Sequence, residues 1–454
     1  MKFYFFGATD TVTGSCHKLE VADKSGTVHN ILIDCGMFQG ERICGSRNLP
    51  KFDFDPKTIE AVFVTHTHAD HIGRLPKLIK EGFSGVIYMT PPTRALAKIV
   101  LEDTQHIMAE NSEKCGDPIL FSLADVEMVF TKTEIVNYHE AVELGPDLTV
   151  MFHDVAHILG SSYISVEAEN KRIIFSGDIG NDNVPILPTT ESLSSADVVI
   201  CEATYGGRTH EPVSERQELL EDAMRLVYQR KSTLLIPAFS IERTQEVLYA
   251  MNNILHRFNW EMPIFLDSPM AIRATAVYRE YANYLKFDKD ILLEPDRDFF
   301  SFPNLHETLS SAASRQINDM PGPKIIIAGS GMMTGGRIMH HLMRYLSSPK
   351  NILLVVGYQA EGTLGRQILS GAKNVNIFGN HIPVHIEIRK IGAFSAHADQ
   401  AKILRWLMPE TGTAPKKVFL VHGDDDQKAE LSKAIVEVLK SEVIQPVAGQ
   451  VYEL

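Results

Sequence analysis

Short apolar runs separated by polar turns set the pattern of the first two hundred residues. Residues 3–6, 31–33, 61–65 and 86–89 are rich in β-branched and aromatic side chains and are bounded by Gly, Asp or Pro. Runs of that kind predict buried strands. Residues 148–152, 163–166 and 172–176 continue the pattern, whereas 94–109 has helical spacing and no Gly or Pro. The opening half therefore predicts a layered sheet with helices over it. From about Tyr205 the texture changes. Helical periodicity over 214–230 and 241–258 alternates with strand-like runs at 233–236, 264–266, 324–328 and 352–356. Strands alternating with helices of this length predict an α/β unit with a largely parallel sheet. Residues 292–320, rich in Asp, Ser and Asn, read as a surface loop. Strand texture like that of the first half is read again at 385–391 and 417–421. A first half and a tail of like texture around a different unit predict an inserted domain: 1–205 and 386–454 forming one domain, 206–385 the insert.

Composition narrows the class. The 454 residues are 44% hydrophobic and 22% charged, an ordinary globular balance. No run approaches the ~18 apolar residues of a membrane span, and the N-terminus lacks the apolar stretch of a signal peptide. Five cysteines are scattered without CxxC spacing, which predicts reduced thiols in a cytoplasmic protein. The formal charge of −13 weighs against general nucleic-acid affinity. It is uneven, however. Residues 206–385 carry 19 Lys/Arg against 18 Asp/Glu, the remainder 25 against 39. Net charge thus does not exclude a local basic channel.

The sharpest chemical signal is Thr65-His66-Thr67-His68-Ala69-Asp70-His71, directly after a predicted strand. Packing gives no reason to cluster three imidazoles and a carboxylate; a divalent metal does, because neutral imidazole and carboxylate are typical zinc ligands. One loop cannot complete a site, so further ligands are sought at other strand ends. His157 and Asp178 sit after strands and beside Gly, as does His422. Glu202 and Asp34 end apolar strands, and His397 lies in Ala393-Phe394-Ser395-Ala396-His397-Ala398-Asp399. Repeated strand-then-His/Asp/Glu loops predict one sheet edge presenting a shared site. In the insert, Ser330-Gly331-Met332-Met333-Thr334-Gly335-Gly336-Arg337 is a Gly-rich loop between a strand and a helix. Such a loop can offer N–H groups to a phosphate, which makes Ser330 and Arg337 candidate phosphate contacts. A tight strand–helix turn is the alternative.

Together these motifs resemble the β-CASP family of metallo-β-lactamase-fold hydrolases, over essentially the whole chain. That family includes the endonuclease subunit of eukaryotic pre-mRNA 3′-end processing and bacterial and archaeal RNA nucleases. Asp34 matches the first motif, and His66, His68, Asp70 and His71 match the HxHxDH signature. His157 and Asp178 match the third and fourth motifs; Glu202, His397 and His422 match β-CASP motifs A, B and C. The insert segments Pro237-Ala238-Phe239-Ser240-Ile241-Glu242-Arg243 and Asp267-Ser268-Pro269-Met270-Ala271 are also similar. The resemblance implies an αββα sandwich with an inserted α/β β-CASP domain. It implies two Zn²⁺ ions, one on His66, His68 and His157, the other on Asp70, His71 and His422, bridged by Asp178. It also implies hydrolysis of single-stranded RNA, threaded between lobes, to 5′-phosphate and 3′-hydroxyl ends. His397 would be the general acid, Glu202 its orienting partner and Asp34 a partner of a ligand histidine. Histidine at 422 is similar to the RNA-processing rather than the DNA-processing branch, and no KH module or large C-terminal domain is expected. A 5′-exoribonuclease, a small-molecule hydrolase of the thioesterase or lactamase kind, a catalytically dead RNA-binding scaffold and a DNA nuclease stay open as rivals. No membrane partner is expected, and a homodimer is one option for the assembly.

Overall fold

The computed structural model describes residues 1–39, 47–182, 184–210, 214–287, 298, 300, 302–360, 362–391, 396–409 and 412–454. These fall into two compact units, one of residues 1–182, 189–209 and 397–454, the other of 183–188 and 210–396.

The first unit is a sandwich of two seven-stranded sheets. In spatial order, one runs Val451–Glu453, Lys2–Phe5, His17–Ala22, Val28–Ile33, Ala61–Phe63, Val86–Met89 and Thr133–Ile135. The other runs Glu442–Ile444, Lys417–Val421, Val198–Glu202, Lys171–Phe175, Ser162–Ala168, Leu148–Asp154 and Ala141–Gly145. Alternation along the strands places Phe3, Phe5, Leu19, Ile31 and Phe63 of the first sheet against Phe152, Ile164, Phe175, Ile200 and Phe419 of the second. Burying each such side chain contributes roughly 1.5–3 kcal/mol. The second sheet's outer face, through Ile174, Val199 and Leu420, is covered by Ile403 and Trp406 of the helix Gln400–Leu407 and by Leu431 and Ile435 of Asp425–Leu439. Helix Pro91–Cys115 lies against the edge strand Thr133–Ile135 of the first sheet. It starts where Thr90 accepts from Thr93 N–H and stops at left-handed Gly116.

The second unit is built on a parallel sheet ordered Leu305–Glu307, Ile264–Leu266, Lys324–Ala328, Thr233–Pro237, Ile352–Val355 and Glu387–Lys390. Its four central strands are buried on both faces because helices cover both. Leu234, Ile236, Ile325 and Ile327 pack toward Met224, Val247 and Met251 on one side. Leu235, Ile326 and Leu353 pack toward Leu342 and Ile368 on the other.

Two expectations are corrected. Glu387–Lys390, within the run read as first-half texture, pairs in parallel with Ile352–Val355 and so belongs to the second unit's sheet. The unit therefore extends past residue 385, to Ala396. The same apolar alternation fits either sheet, and only the pairing partner distinguishes them. The described part of 292–320 is not all loop. It holds the strand Leu305–Glu307 and the helix Ser311–Gln316, capped by Ser310; residues 292–297, 299 and 301 lie outside the described residues. Cys16, Cys35, Cys115 and Cys201 are free thiols, and Cys44 is outside the described set. Among the described residues no helix is long and apolar enough to cross a membrane.

Candidate metal centre

Four of the strands that deliver side chains to the site end in a sharp turn. Asp34, Ala156, Gly177 and His422 follow the strands at 28–33, 148–154, 171–175 and 417–421, and all have positive φ, between 52° and 63°. Non-glycine residues there carry local strain, which persists only where surrounding contacts hold it. Gly36 is required by proximity: a Cβ on it would stand 1.5 Å from the Asp70 carbonyl oxygen. The chain after Asp34 is thus pressed directly onto the loop that carries Asp70 and His71.

The expected ligands converge in two groups. His66 Nε2 lies 3.0 Å from His68 Nδ1, and His157 Nε2 lies 3.3 Å from that same nitrogen. Asp178 Oδ2 is 3.4 Å from His66 Nε2 and 3.5 Å from His157 Nε2. The second group holds His71 Nε2, 3.3 Å from His422 Nε2 and 3.3 Å from Asp178 Oδ1, with Asp70 Oδ2 3.5 Å from His422 Nε2. Asp178 therefore turns one oxygen to each group. Its Oδ1 is buried and accepts no hydrogen bond among the described residues.

These distances fit a metal better than a proton network. Donors 2.0–2.1 Å from a tetrahedral ion stand about 3.3 Å from one another, which matches the observed edges. Protons cannot satisfy the first group, because His66 and His157 both aim at one His68 nitrogen, which can carry only one hydrogen. Electrostatics agree. Burial drives His66 down to about 3 and His68 to about 4, and holds His157 well below the usual histidine range. All three are neutral, the form that presents a lone pair. Burial also opposes charge on His71, but the carboxylates of Asp178 and Asp34 outweigh it and raise its pKa well above normal. Burial likewise opposes charge on Asp178, and the surrounding imidazoles overcome that and hold it well below the usual range.

Partners around the ligands fix their orientation. His71 Nδ1–H donates to Asp34 Oδ2 at 2.7 Å, which leaves Nε2 for the site. Asp34 is held in turn by Thr65, whose N–H and hydroxyl each donate at 2.8 Å. Thr204 Oγ1 lies 3.1 Å from His422 Nδ1 and donates to the His422 carbonyl. Imidazoles aimed by such contacts are typical of metal sites. Sequence reasoning missed Thr65 and Thr204; the available signal was a hydroxyl residue directly preceding a ligand or following an acidic strand end.

The expected pair also meets. His397 Nδ1–H is shared between Glu202 Oε1 and Oε2, both at 3.2 Å. Glu202 is fully buried and accepts Ile179 N–H at 2.6 Å and Thr204 N–H at 3.3 Å. Burial lowers the His397 pKa, but Glu202 and Asp178 outweigh that and push it up to about 9. His397 pairs across an isolated bridge with Gly180, two residues from Asp178. Residues 393–395 of its motif lie outside the described residues.

The chain matches three family descriptions in order: Metallo-beta-lactamase superfamily over residues 26–227, Beta-Casp domain over 244–368, and Zn-dependent metallo-hydrolase RNA specificity domain over 381–446. It is 37% identical over 435 residues to Ribonuclease TTHA0252 of Thermus thermophilus, covering 96% of each chain. The chain belongs to the β-CASP family of metallo-β-lactamase-fold ribonucleases. Other relatives are an RNase J-like protein of Methanocaldococcus jannaschii, 33% identical with 98% of both chains covered, and Transcription termination factor FttA of Methanosarcina mazei, 29% identical over 96% of this chain and 69% of that one. A crystal structure of a protein of unknown function from Enterococcus faecalis shares the fold, with TM-score 0.56 and 13% identity, covering 100% of this chain and 99% of that one. As a β-CASP protein this chain is a metal-dependent hydrolase, and its candidate divalent-metal site is the His/Asp cluster described above.

The two phosphate-contact candidates of the insert stand apart from the cluster in chemistry. Arg337 is turned onto protein: its Nη1 donates to Asp267 Oδ1 and Thr308 O, and its Nη2 to Leu309 O, all at 2.7 Å. Asp267 is fully buried and also takes hydrogen bonds from His341, Thr308 and Ser314. Ser330 Oγ accepts Thr334 N–H at 3.0 Å, within its own loop.

Proposed function

We propose that this β-CASP protein is a zinc-dependent endoribonuclease of the cytoplasm that cleaves single-stranded RNA to 5′-phosphate and 3′-hydroxyl ends. The observation that carries it is the His397–Glu202 pair beside a ligand cluster with two poles. Small-molecule hydrolysis at a two-metal site needs no such pair.

Two zinc ions, one on His66, His68, His157 and Asp178, the other on Asp70, His71, His422 and Asp178, would supply Lewis acidity and a nucleophilic water. The rest of the chemistry belongs to the chain. Both Glu202 carboxylate oxygens accept from His397 Nδ1–H and so fix the ring's orientation and tautomer. His397 then donates a proton to the departing 3′-oxygen. With its pKa pushed up to about 9 it is protonated at neutral pH, as a general acid must be. Asp34 and Thr65 hold His71 as the tautomer with Nε2 available. The relatives at 37% and 33% identity, a ribonuclease and an RNase J-like protein, support RNA as substrate.

The test uses untagged protein of known metal content with a circular and a 5′-labelled linear single-stranded RNA. Linearisation of the circle, lost in His397→Ala, is the expected outcome. An intact circle with a shortened linear substrate would instead identify a 5′-exonuclease. No cleavage of either by metal-loaded protein would overturn the reading.

A further inference from the structure

We propose that His139, His153 and Glu191 form a further binding site for a zinc-class divalent ion, sharing no residue with the His/Asp cluster. Candidate ligand atoms of the three lie within 4.8 Å of one another. They come from three separate segments. His139 is in the turn between the strands Thr133–Ile135 and Ala141–Gly145, His153 is on Leu148–Asp154, and Glu191 lies in the segment leading to Val198–Glu202. The carboxylate spreads between the rings: Oε1 is 3.1 Å from His153 Nδ1, and Oε2 is 3.4 Å from His139 Nε2.

Each donor is anchored behind the point of convergence. The His153 ring stacks on Tyr163, with centroids 4.5 Å apart and planes 7° apart. Its Nε2 sits 3.0 Å from Ser165 Oγ. When Nε2–H donates to Ser165, Nδ1 offers its lone pair to the site; a bound cation selects that tautomer. Glu191 N–H donates to Asp154 O at 3.0 Å, and His139 N–H donates to Phe152 O at 2.9 Å. His139 is held at a φ of 64°, a conformation that its turn must stabilise. Asn137 does so from the other side, giving its backbone and side-chain N–H groups to Glu140.

Two imidazoles and one carboxylate are a borderline donor set, matched to zinc and its transition-metal neighbours rather than to Mg²⁺ or Ca²⁺, which favour all-oxygen sites. The His139 side chain is 59% exposed, so ions reach the site from solvent and a water can complete the coordination. Glu191 follows residues 183–188, which group with the second unit. An ion here fastens the start of the returning segment to the edge of the second sheet.

The experiment uses untagged full-length protein, stripped by chelator and then equilibrated with a small excess of Co²⁺ or Zn²⁺. Bound ions are counted by mass spectrometry after gel filtration, and Co²⁺ ligand-field bands are recorded. His139→Ala, at an exposed turn, and Glu191→Gln are each expected to bind one ion per chain fewer than the unsubstituted protein. They should lose one set of Co²⁺ bands and keep RNA cleavage. Equal ion counts in all three proteins would overturn the site and would show a His–Glu ion pair instead.

Discussion

The loop 66–71 of the first unit and the loop 330–337 of the second follow the same plan, a polar turn leaving a buried strand, yet their charged groups meet opposite fates. In the first, imidazoles and carboxylates face one another with lone pairs that protein donors leave unmet, and Asp178 Oδ1 is buried with no hydrogen bond among the described residues. In the second, charge is consumed internally: Asp267 takes Arg337, His341, Thr308 and Ser314, and burial notwithstanding these bonds hold it down to about 2. The comparison teaches that clustering alone does not mark a reactive site. What sets the first apart is that two neutral imidazoles converge on one His68 nitrogen that protons cannot serve.

That contrast can be broken experimentally. Asp178→Ala removes the bridging carboxylate and is expected to abolish metal retention and lower RNA cleavage by well over about 10³-fold, since an uncoordinated water returns from a pKa of about 7 toward 15.7. Metal analysis alongside an RNA assay checks both. His397→Ala should keep its metal and lose about 10²–10⁴-fold in cleavage. The acid form of His397 exists below its pKa, so the unsubstituted enzyme should lose activity as pH rises toward about 9; the variant's profile should lack that limb.

In the second unit the expected signature is stability rather than turnover. Arg337→Ala removes the guanidinium paired with buried Asp267 and should cost about 3–5 kcal/mol in denaturant unfolding. If instead stability holds while KM for RNA rises, the guanidinium serves substrate and the contrast between the loops fails.

Asp154 sharpens the comparison from a third position. It is half-buried, and among the described residues its carboxylate accepts the Ala156 N–H, so desolvation, with a contribution from Glu191, raises its pKa to about 7. The folded state then binds a proton that the unfolded state releases near 4, and stability falls as pH rises from about 4 to about 7. Asp154→Asn should remove that loss, gaining up to about 4 kcal/mol at pH 8 and little below pH 4. Thermal melts at the two pH values decide it. Smallest is Asp34→Asn, which weakens the hold on His71 and should lower metal affinity or activity by about 10–100-fold.

How much of this was legible in the sequence depended on distance along the chain. His66, His68, Asp70 and His71 are adjacent, so their number alone exposed the site. His157, Asp178, Glu202, His397 and His422 were legible as strand-end residues, because strands of one sheet end side by side. Thr65 and Thr204 were not, since a threonine beside a strand is also ordinary strand chemistry. Arg337 shows the same limit in the insert. Its partner Asp267 lies 70 positions away, and nothing local announces that the guanidinium is already engaged. Glu387–Lys390 went to the wrong sheet because hydrophobic alternation records burial but not the neighbour.

The ligands of the centre are drawn from residue 66 to residue 422, and His422 follows a strand that pairs in parallel with Val198–Glu202. During synthesis the histidines of the first pole are therefore translated hundreds of codons before the last ligand of the second. A product that stops before residue 397 carries the three histidines of the first pole but lacks both His397 and His422, so it cannot assemble the full cluster.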